Sequence, residues 1–120
     1  MLSGGFTIFL PMPPSTNNLF VNVPRKGRVP SPEYVAWRKE ADALYLSQKR
    51  PEPVTGPFRF LLEVVRPDKR RRDVSNLIKA AEDQIAHYGL IRDDCDAEEV
   101  CARWVAEDLG GMARITVTPA

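Results

Sequence analysis

Histidine and cysteine are almost missing from this 120-residue chain, which has one histidine, His87, and two cysteines, Cys95 and Cys101. The thiols stand in no metal-ligand spacing, which argues against a zinc site built from Cys and His, and they read as reduced residues of a cytosolic protein. Long apolar runs are missing too. No segment approaches the roughly 20 apolar residues that a membrane span needs, so no membrane partner is expected. The start, Met1-Leu2-Ser3-Gly4-Gly5, has no basic region followed by an apolar stretch, which argues against a secretory signal. Internal repeats and low-complexity tracts are absent as well. A strong charge balance is the last absence: the formal net charge is +1.

What remains is ordinary for a globular domain, 43% hydrophobic and 28% charged. The length suits one domain over residues 1–120 with a single core. The near-zero net charge hides a segregation. Basic residues gather at Arg25-Lys26-Gly27-Arg28 and from Arg66 to Arg72; acidic ones gather at Asp93-Asp94-Cys95-Asp96 and Glu98-Glu99. Distribution, rather than total charge, speaks here to partners.

Thr7 to Leu10 is a short β-branched and aromatic run, stopped by Pro11-Met12-Pro13-Pro14. Ser15 to Pro30 has little periodicity and reads as a long, partly mobile loop. Ser31, Pro32 and Glu33 start a helix as N-cap, first helical residue and dipole-favourable acid. Tyr34, Trp37, Ala41, Leu44 and Tyr45 continue it at helical spacing to about Lys49. Phe58, Phe60, Leu62 and Val64 form one face of a strand, with Arg59, Leu61, Glu63 and Val65 on the other. A second helix begins near Asp73 or Ser75, carries Leu77, Ile78, Ala81, Ile85 and Tyr88 on one stripe, and ends at Gly89. Val100 to Ala106 and Met112 to Thr118 read as strands of a hairpin turning at Leu109-Gly110-Gly111. The order β-α-β-α-β-β predicts an α/β domain, a mixed sheet with helices packed on it.

Between Arg66 and Arg72, five of seven side chains are positive. Such a loop is either solvated or laid against an anion, and phosphate backbone is the commonest anionic partner. Asp73 follows directly. It is an N-cap, or, with Ser75 or Asn76 capping instead, it is free to point elsewhere. In helical projection Ser75, Lys79 and Glu82 share a line opposite the apolar stripe, with Asn76 and Asp83 beside it. Lys79 and Asp83 at i, i+4 form a surface salt bridge, or this face looks into a metal and phosphate site. The adjacent carboxylates of Asp93 and Asp94 repel one another, and a hard divalent cation relieves that repulsion. Asp96, Glu98 and Glu99 read as solvated charge. A helix of roughly fifteen residues would hold Asp73 and Asp94 over 20 Å apart. Either the chain after Gly89 returns along the helix, or a second subunit supplies one of them.

The stretch from Arg66 through Lys69-Arg70-Arg71-Arg72-Asp73-Val74-Ser75-Asn76 to Lys79 and Asp83 resembles the signature of the RusA family of Holliday junction resolvases. Gly89-Leu90-Ile91-Arg92-Asp93-Asp94 and Pro11-Met12-Pro13-Pro14-Ser15-Thr16-Asn17-Asn18 extend the resemblance over nearly the whole chain. It implies a homodimer of bacterial or phage origin, acting in the cytoplasm in DNA recombination and repair. Such a dimer binds four-way DNA and nicks two strands with Mg²⁺ or Mn²⁺, with no organic cofactor. By the same resemblance Asp73 and Asp94 are metal-binding catalytic carboxylates assisted by Asp93, and Lys79 is the catalytic lysine. Lys69, Arg70, Arg71 and Arg72 contact DNA, with Asn76 as a supporting residue and Arg25, Lys26 and Arg28 as helpers. One position departs. The family pattern Asp-x-Asp-Asn is here Asp73-Val74-Ser75-Asn76, and a neutral hydroxyl is a weaker metal ligand than a carboxylate. Three outcomes are open: Ser75 serves through a bound water, a nearby carboxylate substitutes, or the protein binds junctions and cuts them poorly. Glu82 is the candidate substitute, two turns or about 11 Å of rise along the same face.

Overall fold

In the computed structural model, which describes residues 4–120, the apolar alternation of the middle of the chain becomes the centre of a four-stranded sheet. Met1, Leu2 and Ser3, part of the N-terminal reading above, lie outside the described residues. Strand β4 (Phe58–Val64) buries Phe58, Phe60, Leu62 and Val64 on the core face, as its period of two requires. Strand β1 (Phe6–Pro11) starts one residue before and ends one after the apolar run seen in the sequence. The sheet order is β1-β6-β4-β5, with β5 (Ala97–Trp104) parallel to β4, and β6 (Met112–Pro119) antiparallel to both β4 and β1.

The expected β5–β6 hairpin is therefore not formed. Gly110 and Gly111, at φ +64° and +78°, do turn the chain, but β4 lies between the two strands. Neighbouring strands are about 4.8 Å apart, and the segment 105–111 is long enough to step over one of them. Val105 first extends the β4 pairing, its N–H bonded to the Val64 carbonyl at 2.9 Å. Both edges of β4 are thereby satisfied.

The expected loop from Ser15 to Pro30 is also largely ordered. A 3₁₀ turn (Thr16–Asn18) leads into a separate two-stranded ribbon, β2 (Phe20–Val23) and β3 (Gly27–Pro30). Its tip puts Arg25 at φ +69°, a conformation uncommon for a side-chain-bearing residue. The sequence hid the ribbon because its strands are four residues each and polar residues interrupt their valines.

Helix α1 (Pro32–Leu46) has the expected cap, Ser31 Oγ accepting from Tyr34 N–H at 3.0 Å, and buries Tyr34, Trp37, Ala41 and Tyr45. It stops short of Lys49 because Gln48 has other work. The Gln48 amide accepts from Phe9 N–H at 2.8 Å and donates to Phe9 C=O at 2.7 Å, and Trp37 Nε1 donates to Pro11 C=O at 3.1 Å. The second helix is split: a 3₁₀ turn (Val74–Leu77), then α2 (Ile78–His87), ten residues long. Leu77, Ala80, Ala81 and Ile85 join the same core as α1 and the buried sheet face. A parallel β4–β5 pair needs such a crossover, and α2 supplies it. Among the described residues no helix is long and apolar enough to cross a membrane.

Candidate functional site

The crossover between β4 and β5 carries nearly every residue singled out in the sequence. Lys69, Arg70 and Arg71 are exposed and make no ion pair among the described residues. Arg72 is different: its guanidinium donates twice to Asp68, at 3.2 and 2.7 Å, and Asp68 also accepts from Arg70 N–H. The loop is thus less positive than its composition suggests. Arg66 lies 4.7 Å over the Trp104 ring, and Arg28 lies 4.9 Å over Phe20 in the ribbon that also carries Arg25 and Lys26.

Asp73 is an N-cap after all, and neither Ser75 nor Asn76 takes that role. Its Oδ1 accepts from Ser75 Oγ–H at 2.6 Å and from Ser75 N–H at 3.0 Å. Those bonds, the hydroxyl's first, hold the Asp73 carboxyl below its usual range. Oδ2 has no partner among the described residues. Asn76 C=O accepts from Thr16 Oγ1–H at 2.9 Å, which ties the proline-rich N-terminal motif to this helix start. Arg71, Arg72, Asp73 and Asn76 line one open cleft of about 650 Å³ with Pro14 and Trp37.

Asp94 reaches the site because the chain doubles back. After Gly89, at φ +77°, Leu90 and Ile91 are buried, and Leu90 bonds to Ile85 C=O and to Val54 N–H. These apolar anchors return the chain along α2, so one subunit brings Asp94 to the helix start without help from a second. Lys79 Nζ stands 3.0 Å from Asp83 Oδ1 and 3.8 Å from Asp94 Oδ2. The Asp83 hydrogen bond is the main reason its ammonium is held more firmly protonated than usual. Asp93 caps the short turn Asp94–Asp96, accepting from Cys95 N–H at 3.1 Å. It also shares a hydrogen bond with Asp94, which lowers the Asp93 pKa and raises that of Asp94. Asp96 is not solvated charge: Arg92 grips it at 3.0 and 2.8 Å.

Glu82 departs furthest from its projected surface position. It is 8% exposed, and no donor among the described residues bonds its carboxyl. Burial first, then the Asp94 charge, pushes its pKa up to about 7. It does not meet Ser75, whose hydroxyl is turned to Asp73. Tyr34, read in the sequence only as part of an apolar stripe, also approaches this polar end: after burial, the Asp83 charge raises its phenol pKa. Periodicity marks such a residue as core and gives no sign of a second role.

Among the described residues no three His, Cys, Asp or Glu side chains converge on a single ion. The donors nevertheless suit a hard cation in kind. They are carboxylates only, two of them adjacent in the chain and one on a largely buried side chain without a donor.

The fold and this polar end define a class: a small α/β domain in which one crossover joins an exposed basic loop to oxygen donors around a lysine. The chain belongs to the RusA family, whose model, described as endodeoxyribonuclease RusA, matches residues 11–118. Similar proteins include crossover junction endodeoxyribonuclease RusA of Shigella sonnei and of Escherichia coli K12. Each is 30% identical over 114 residues, covering 94% of this chain and 93% of the relative. The protein of the same name from Enterobacteria phage 82 is 29% identical over the same span.

Proposed function

We propose that this chain is a structure-specific endodeoxyribonuclease that resolves four-way and other branched DNA. It acts as a homodimer with Mg²⁺ or Mn²⁺, in recombination and repair in the bacterial cytoplasm. The observation that carries the reading is the return of the chain after Gly89. It sets Asp94 against Lys79 at the start of α2 while Asp73 stands directly after an exposed basic loop.

Lys69, Arg70 and Arg71 hold phosphates, with Arg72 oriented by Asp68 and contributing less. The Thr16–Asn76 bond keeps the helix start, and Asp73 with it, in place beside that loop. Asp73, Asp93 and Asp94 would hold the divalent ion, which when bound activates water and offsets charge on the scissile phosphate. Lys79, now shared between Asp83 and Asp94, supplies a positive charge for the developing oxyanion. A two-fold dimer presents two such sites to the two strands of a symmetric junction.

A labelled four-way junction, incubated with and without Mg²⁺ or Mn²⁺, tests this. Paired, cation-dependent nicks are expected. A second reading, junction binding with weak cutting, has one observation in its favour: Ser75 offers a hydroxyl in place of a carboxylate and spends it on Asp73. Tight binding with no nicking under either metal selects that reading.

A further inference from the structure

We propose that Glu82 supplies the carboxylate that Ser75 lacks, so that the cation is held from the α2 side by Glu82 together with Asp94. The inference rests on the endonuclease reading and assigns a ligand within it.

Position 75 itself is spent. Its side chain is neutral, and its hydroxyl donates to Asp73 at 2.6 Å. Glu82, by contrast, is 92% removed from solvent and has no donor. A carboxylate on a side chain so enclosed, with no bond made to it, is poorly solvated and is stabilised by a cation that reaches it. The neighbours do not provide that pairing. Asp94 and Asp83 are close enough for their charges to act on Glu82, and Lys79, the cation acting alongside them, is already 3.0 Å from Asp83. Glu82 lies one turn beyond Lys79 on α2, and Lys79 is the only cation within 4 Å of Asp83 and Asp94 among the described residues, so carboxyl groups outnumber ammonium groups here.

The group is also reachable. Among the described residues no unpartnered side-chain oxygen is sealed from solvent, so the Glu82 carboxyl opens to the surface rather than into a closed core. A small hard cation fits that opening and the all-oxygen donor set. Binding requires Glu82 and Asp94 to come onto one ion as the Lys79 ammonium, now 3.8 Å from Asp94, moves off it.

The test uses the full chain and Mn²⁺ alone, with free Mn²⁺ followed by electron paramagnetic resonance. Glu82→Gln should weaken Mn²⁺ binding by more than about tenfold, the loss seen even for outer partners of metal ligands. Adding Ser75→Asp to that variant should restore most of the affinity, because it returns a carboxylate to the family position. A melt without cation checks folding: Glu82→Gln should melt no lower than wild type, having lost no hydrogen bond. A second measurement needs no variant. In wild-type protein, Mn²⁺ should broaden the backbone amides of residues 79–83 along with that of Asp94. Unchanged affinity in Glu82→Gln, or broadening confined to residues 73–76, overturns the assignment. If the wild type nicks junctions with Mn²⁺ and Glu82→Gln does so equally, this inference alone falls. If the wild type neither binds Mn²⁺ nor nicks, the endonuclease reading falls with it.

Discussion

Glu63 and Glu82 are both buried, at 4% and 8% exposure, and they are opposites in every other respect. Glu63 sits on β4, where register places Arg103 on one side across β5 and Arg114 on the other across β6. Arg103 donates to it at 3.0 and 2.7 Å and Arg114 at 2.9 Å, and Arg114 is held in turn by Glu107. The Arg114 bond, outweighing burial, keeps the Glu63 carboxyl below its ordinary range. Glu82 has burial and no donor, and its pKa moves the other way. A buried charge with all its bonds made is part of the scaffold. One without them is the mark of a place where something else is meant to bind.

The sharpest break in this contrast lies in catalysis. Asp94→Asn should abolish nicking while leaving junction binding intact, read by cleavage and gel-shift assays on the same labelled junction. Unchanged nicking would remove Asp94 from the site. Stability comes next: Glu63→Ala should cost about 1–2 kcal/mol in a urea melt, since it removes the bonds donated by Arg103 and Arg114, although Arg114 keeps Glu107 and Arg103 is largely solvated. Glu82→Gln should cost nothing. Equal losses would mean that both glutamates are structural.

Protons separate the two further. The folded Glu82 pKa, about 7, lies above the ordinary value of 4.5, so between those values the folded protein keeps a proton that the unfolded chain releases. Its contribution to stability is therefore whole below 4.5 and declines as pH rises to about 7. Glu63 runs oppositely, its contribution present above its unfolded value and lost as pH falls through the lowered folded one. Melts in EDTA from pH 4.5 to 7 should show Glu82→Gln gaining on wild type as pH rises. A constant difference would show that Glu82 does not titrate there.

The smallest effect belongs to the basic loop. Arg71→Ala should weaken junction binding and reduce the salt slope by about one. Arg72→Ala should do less, because Asp68 already offsets Arg72. Equal slopes would show that the Asp68 pair opens on DNA.

Features set by local chemistry were legible in the sequence. The Ser31 cap, Pro32 and the stripe of α1 are decided within a few residues, as is the two-residue alternation of β4. Lys79, Asp83 and Asp94 were also picked out, although helix length alone seemed to keep Asp94 away. The overlooked signal was Leu90-Ile91, an apolar pair directly after a helix-ending glycine, which has to bury itself and so turns the chain back. Strand pairing was not legible: the order β6-β4-β5 depends on which edges of β4 are open, and no local pattern records that. Glu82 was misplaced for a similar reason. A helical projection gives directions around an axis and says nothing of how far neighbouring elements rise over it.

The bonds from Gln48 and Trp37 to β1 have a consequence for the life of the protein in a crowded cell. Phe9 turns both its amide and its carbonyl outward and finds them taken, and Pro11 has no amide to offer and a carbonyl already bound. An open strand margin is a template on which other chains stack and aggregate. At β1 two side chains from the neighbouring helix and its end have filled the template around Phe9 and Pro11 in advance, so an added strand finds that stretch of the border already taken.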